Sequence, residues 1–283
     1  CSALATVLPS NLTLRDLSFY GWCPGLPLVC SALGKNTGLK SLKVAVSMDE
    51  SLCTAIKNGL EPNETLESLE LNRIHVTDDN AAMWCRAFSF LRTTKTLKSL
   101  MISLKDGAKK SCRSRFRIEI ACMLQENASL ESLSIGKRWT NTIQIKIKAE
   151  EYFFLVTALN YNTTLKSLSL DDDERLQLTE YEDKQMASRL KKNYALERLH
   201  DIDWVGDVGA ILRLNAAGRR YLIEDGSSIS KGVEVLNAVS NDTDCVFLHL
   251  LENPRLCDRR AVELVRSGGF DRRVRQLVTV AER

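Results

Sequence analysis

Asn162-Thr163-Thr164-Leu165-Lys166-Ser167-Leu168-Ser169-Leu170 decides the fold, because close copies of it recur from one end of the chain almost to the other. Aligned on the first leucine, they are Leu14-Arg15-Asp16-Leu17-Ser18-Phe19, Leu39-Lys40-Ser41-Leu42-Lys43-Val44, Leu66-Glu67-Ser68-Leu69-Glu70-Leu71, Leu97-Lys98-Ser99-Leu100-Met101-Ile102, Leu130-Glu131-Ser132-Leu133-Ser134-Ile135, Leu165 to Leu170, and Leu196-Glu197-Arg198-Leu199. Subtracting successive first-leucine positions gives steps of 25, 27, 31, 33, 35 and 31. In the first six copies the fourth and sixth residues are apolar and mostly alternate with polar ones, the pattern of a strand with one buried face. A unit this short cannot bury its apolar side alone. About seven units stacked side by side form one parallel sheet and one continuous core.

Between copies the period changes from two to about 3.6. Met186, Ala187 and Leu190 share a helix face in 183–192, as do Phe116, Ile120, Ala121, Met123 and Leu124 in 116–124. Asn36, Asn63, Asn127, Asn162 and Asn193 each lie three residues before their first leucine. There a helix must end, and Asn tolerates the left-handed conformation of a C-cap. Each unit therefore reads helix, Asn-containing turn, strand.

Over about residues 11 to 215 this pattern resembles the ribonuclease-inhibitor-like leucine-rich-repeat proteins, whose units of roughly 28 residues alternate strand and α-helix. Two departures stand out. Several steps exceed the usual period, and most units lack the Asn that the family places three positions after the last strand leucine. The resemblance implies an α/β fold, a solenoid of curved parallel sheet with outer helices. It also implies partner binding on the concave sheet face and its loop rim.

Residues 1–215 are expected to form this solenoid and 216–283 a mainly helical C-terminal cap, since terminal units of an open array differ from interior ones. In the fading pattern beyond Leu199, Ala210-Ile211-Leu212-Arg213-Leu214-Asn215 reads as a last strand, and helix-like segments follow near 230–239, 242–252 and 257–267.

The chain has 283 residues, a net charge of +3 from 39 basic and 36 acidic side chains, and 44% hydrophobic but only 6% aromatic content. That balance creates no global field demanding nucleic acid or a membrane, and aliphatics are expected to fill the interior. Residues 17–34 are uncharged, yet Gly21, Pro24, Gly25 and Pro27 break the run, so a transmembrane reading is rejected. Cys1 is preceded by no Met or basic leader, which reads as a processed or trimmed chain without a secretory signal.

Nine cysteines without paired spacing point to a reducing, cytoplasmic compartment. Cys30, Cys53, Cys85 and Cys122 are expected to behave as small core hydrophobes. Five N-x-[ST] sequons, at Asn11, Asn63, Asn127, Asn162 and Asn241, argue the other way. Three of these asparagines belong to the repeat turn, so a structural explanation suffices.

Catalytic signatures are absent: no G-x-G-x-x-G, G-x-x-x-x-G-K-[ST], G-x-S-x-G, H-E-x-x-H or C-x-x-C occurs. His200 beside Asp201 and Asp203 has the chemistry for a metal or a general base, but no converging groups support it. No cofactor or metal is expected, and His75 and His249 read as packed or surface residues. The arginine-rich tail, Arg255 to Arg275, has, Phe270 apart, none of the aromatics that stack bases.

The expectation is a non-catalytic scaffold binding a protein partner through the concave sheet and loop rim. The alternative is the regulatory or sensor portion of a larger protein whose enzymatic module lies outside this chain. The inter-unit loops carry the charge: a basic stretch at 105–117, Lys137 and Arg138, then acidic 171–174. Partner-binding residues are placed at Arg113, Arg115, Lys137, Arg138 and Trp139 on the rim, the aromatic serving as anchor. On the sheet they are Met101, Ser132, Ser134, Ser169, Asp171, Arg198 and His200. The second residues of successive strands, Lys40, Glu67, Lys98, Glu131, Lys166 and Glu197, alternate in sign and should form a column.

Overall fold

The computed structural model describes residues 1–21, 23–46, 49–74, 80–104, 110–136, 157–169, 179–199, 206–219 and 229–257. The chain packs as two compact units, Cys1–Gln177 and Leu178–Arg283.

In the first unit every L-x-x-L-x-L copy forms a strand: β1 Asp16–Tyr20, β2 Ser41–Ala45, β3 Ser68–Ile74, β4 Ser99–Leu104, β5 Ser132–Gly136 and β6 Ser167–Ser169. Consecutive strands pair in parallel, equivalent residue against equivalent residue, as in Leu42↔Leu69, Leu100↔Leu133 and Leu133↔Leu168. The pleat then puts the fourth and sixth positions in the core: Leu42, Val44, Leu69, Leu71, Leu100, Ile102, Leu133 and Ile135 are all buried. Each such side chain contributes roughly 1.5–3 kcal/mol by leaving water. The third and fifth positions stay half-exposed in β2, β3 and β5.

Between strands lie α1 Ser2–Val7, α2 Leu26–Ala32, α3 Glu50–Leu60, α4 Ala81–Ala87 and α5 Lys110–Glu126, several continued by a 3₁₀ turn. Each packs on the next, α1 on α2 through α4 on α5, in a second layer parallel to the strand order. Asp49 starts α3 by accepting the Leu52 amide at 2.8 Å. Gly59 lets α3 approach α2: a Cβ there would lie 1.8 Å from the Cys30 carbonyl oxygen. The core is not purely aliphatic as expected. Trp84, Phe88 and Phe90 are among its largest fully buried side chains, with Trp84 stacked on Phe88 at 5.9 Å between centroids.

The turn asparagines sit where the sequence places them but work differently. Asn36 has extended backbone, φ −83° and ψ 132°, and Arg73 is the one described non-glycine residue with positive φ. No left-handed cap is made by these asparagines. Instead the side chains are buried rungs between units. Asn162 Nδ2 donates to the Leu124 and Asn127 carbonyls of the preceding unit, both at 2.8 Å. Its Oδ1 accepts the Thr164 and Leu165 amides of its own turn at 3.0 and 2.7 Å. Asn63 and Asn36 repeat the four bonds. One amide thus satisfies four backbone groups that the helix-to-strand turn would otherwise bury unpaired. The sequons at Asn63, Asn127 and Asn162 are accounted for by these bonds, since each side chain is buried and engaged.

The second unit holds α6 Glu180–Leu190, β7 Arg198–Leu199, α7 Gly206–Ala216, α8 Ile229–Ala238, α9 Thr243–Glu252 and a 3₁₀ turn Pro254–Cys257. Residues 210–215, read from the sequence as a last strand, belong to helix α7. The apolar run fits either period, and tertiary packing decides: Ala210, Ile211, Leu214 and Asn215 form a buried helical stripe. Gly206 at φ 74° turns the chain into α7, and Asp183 Oδ2 of α6 accepts the Asp207 amide at 3.1 Å. Asn215 is again a rung, now borne on a helix, donating to the Asn193 and Leu196 carbonyls at 3.0 and 2.8 Å. Around it sits Arg219, 2% exposed. Its guanidinium forks onto Glu252 at 2.7 and 2.8 Å, donates to the Lys191 carbonyl and stacks on Tyr194 with its Cζ 4.6 Å from the ring centroid.

Candidate functional site

Because the pairing is in register, the outward-facing strand positions form columns. The third-position column is Asp16, Ser41, Ser68, Ser99, Ser132 and Ser167; the fifth-position column is Ser18, Lys43, Glu70, Met101, Ser134 and Ser169. Right-handed strand–helix–strand connections put the helices on one side of a parallel sheet. The columns therefore line the other side, and their side chains compose the candidate binding face.

This face has two halves. Over β1–β3, Lys43 Nζ contacts Glu70 Oε1 at 2.8 Å and lies 5.8 Å from the Tyr20 ring centroid, and Tyr20 is 67% exposed. Asn72 Nδ2 donates to the same Glu70 Oε1 at 2.9 Å, while its buried Oδ1 has no partner among the described residues. Beside it the β3–β4 register shifts between Leu71 and Ile74, where Arg73 takes φ 64°. A bulge of this kind re-aims side chains at the end of a strand. Over β5 and β6 the same columns are serine. The face thus carries an aromatic, a cation and an anion at one end and small hydroxyls at the other. The strand pattern places Tyr20, Lys43 and Glu70 on the concave face, at the seventh and fifth positions of the early copies, but sequence reasoning gave the weight of binding to the rim.

Of the sequence-derived site residues, Met101, Ser134 and Ser169 lie adjacent in one column and Ser132 in its neighbour, all half-exposed. Arg198 is exposed on β7 in the second unit. Arg113 and Arg115, read as part of a rim loop, lie instead in helix α5, which begins at Lys110. The segment 110–126 contains no Gly or Pro, and its Lys and Arg are good helix formers, so a charged run was mistaken for a loop. The side chains of these two arginines, and the whole of Lys137, Arg138, Trp139, Asp171 and His200, lie outside the described residues.

The column of second-position charges is present in the first unit. Lys40 Nζ meets Glu67 at 2.7 Å, Lys98 approaches the same carboxylate at 3.8 Å, and Lys166 meets Glu131 at 2.8 Å. The Lys40 hydrogen bond, reinforced by both lysine charges, holds the Glu67 carboxyl below its usual range. These exposed pairs select register more than they stabilise.

Buried thiols are quiet. Burial pushes Cys30 and Cys53 up to about 12. Cys122, expected in the core, is exposed on α5. Among the described residues no group of three or more His, Cys, Asp or Glu side chains is placed to hold a metal ion, and no helix is long and apolar enough to cross a membrane. His249 is buried against the Gly232 carbonyl, Nε2 at 3.2 Å, and desolvation brings its pKa down to about 4.

In-register parallel strands, alternating helices and buried repeat leucines define a leucine-rich-repeat-like α/β fold. No family model matches the chain, and no curated protein matches it. Among solved structures, "Leiomodin-1 Actin-Binding Site 2 (ABS2)" is similar at 22% identity and a TM-score of 0.43, over 56% of this chain and 87% of that one. A likeness so distant adds nothing to the fold read from the strands themselves.

Proposed function

We propose that this chain is a non-catalytic protein-binding scaffold of the ribonuclease-inhibitor-like kind, engaging a protein partner through the helix-free face of its sheet. The observation that carries this reading is the pair of in-register columns of outward-facing side chains, which present a broad patterned surface. Tyr20 is the anchor this face offers, since binding energy concentrates in aromatic and arginine side chains. Met101 extends the apolar contact, and Ser132, Ser134 and Ser169 allow close approach. Arg198, the rim at Arg113, Arg115, Lys137, Arg138 and Trp139, and Asp171 and His200 complete the proposed partner-binding set. The proposal includes a reducing, cytoplasmic setting, no cofactor, and a helical C-terminal cap.

The test compares capture from native extract by the wild-type chain, by Tyr20→Ala/Met101→Lys on the sheet face, and by Lys57→Glu on helix α3. A partner retained by wild type and Lys57→Glu, and weakened at least about tenfold by the sheet-face pair, supports the reading. Loss of about 1.4 kcal/mol corresponds to that factor. A partner lost with Lys57→Glu and indifferent to the sheet-face changes overturns it.

A further inference from the structure

The nine cysteines have no sequence spacing that pairs them, yet folding brings two together: Cys1 Sγ lies 2.6 Å from Cys23 Sγ. Both are free thiols, Cys1 exposed and Cys23 half-buried, so a small oxidant reaches them. Cys30, Cys53 and Cys245 are buried, and their thiols are held protonated and inert. The contact joins helix α1, Ser2–Val7, none of whose residues is buried, to the chain that leads into α2. Cys1, the N-cap residue of α1, is seated against the turn entering α2, where Gly25 leaves the room: a Cβ at Gly25 would stand 2.6 Å from the Cys1 Cβ.

We propose that Cys1 and Cys23 are a reversible dithiol–disulfide site that fastens helix α1 to the turn preceding α2 when the chain meets a low-molecular-weight disulfide. The chemistry balances with an oxidant such as oxidised glutathione. The thiolate of one cysteine attacks a glutathione sulfur, forming a mixed disulfide and releasing one glutathione thiol. The thiolate of the other cysteine then attacks the protein-side sulfur of that bond, closing Cys1–Cys23 and releasing the second. Two thiol protons leave the protein, two electrons reduce the oxidant, and excess reduced glutathione reverses both steps. The pair closes a loop across 22 residues of sequence separation.

The experiment equilibrates the full chain in glutathione buffers of increasing oxidised fraction, quenches with an alkylating reagent and maps peptides by mass. The expected result is loss of exactly two free thiols as a Cys1–Cys23 cross-link, with amide exchange in residues 2–7 slowed at least about tenfold. Cys30→Ser should leave the cross-link unchanged, and Cys23→Ser should leave Cys1 carrying glutathione. Persistent mixed disulfides at both positions in the wild-type chain, or a cross-link to any other cysteine, would overturn the pairing. A cross-link that leaves exchange in residues 2–7 unaltered would overturn the fastening role.

Discussion

The buried polar contacts of the first unit are repeated, whereas among the described residues of the second they gather in one charged knot beside an apolar cluster that includes Leu214, Leu236 and Val246. In Cys1–Gln177 the same neutral side-chain amide recurs at Asn36, Asn63, Asn127 and Asn162, each binding its own turn and the unit before it. Among the described residues of Leu178–Arg283, the buried guanidinium of Arg219 ties Glu252 at the end of α9, the Lys191 carbonyl beyond α6 and Asn215 in α7 into one cluster. The difference teaches where each unit is vulnerable. A neutral rung costs little to desolvate and spreads cohesion over many sites. A buried cation repays its desolvation only while its partner stays.

The largest effect is therefore expected at the knot. Glu252→Leu alone strands the buried Arg219 guanidinium and should cost about 3–5 kcal/mol in urea unfolding, whereas Arg219→Met with Glu252→Leu should restore most of it. Equal losses for the single and double variants would break the distinction between the units.

Next come the rungs. Asn162→Ala removes four hydrogen bonds and leaves two carbonyls and two amides unmatched, so a loss of about 3 kcal/mol is expected. Asn241→Ala, at an exposed sequon, should cost nothing measurable by the same denaturation.

A smaller effect depends on pH. His249 is neutral in the fold because burial, with the nearby Arg219 charge, lowers its pKa from 6.5 to about 4. Its contribution is complete above the unfolded value and is lost as pH falls from 6.5 toward 4, by about 3 kcal/mol at most. Denaturation followed over that window should show the loss, and His249→Phe should flatten it.

Much of the fold was legible because the L-x-x-L-x-L copies carry both period and phase, and all seven produced strands. The asparagines were legible in place but not in mechanism. A C-cap is a local reading, whereas a rung needs the carbonyls of a preceding unit some 25 to 38 residues away, as for Asn36 Nδ2 to Asn11 O and Asn162 Nδ2 to Leu124 O. The helix at 206–216 was missed because four apolar residues in six satisfy both periods. The binding face was legible as columns, but its Tyr20, Lys43 and Glu70 end was not weighted, since their proximity follows from strand adjacency rather than spacing.

The rung account has one internal control. Thr94 occupies the asparagine position of the fourth unit, and among the described residues its side chain makes no such bonds, while the neighbouring Thr96 hydroxyl is buried without a partner. Native-state hydrogen exchange at the first-leucine amides tests the claim most directly. The account predicts Leu66, Leu130 and Leu165, whose amides are held by Asn63, Asn127 and Asn162, to exchange at least about tenfold more slowly than Leu97, and Thr94→Asn to bring Leu97 to their level. Equal protection at all four in the wild-type chain would contradict it.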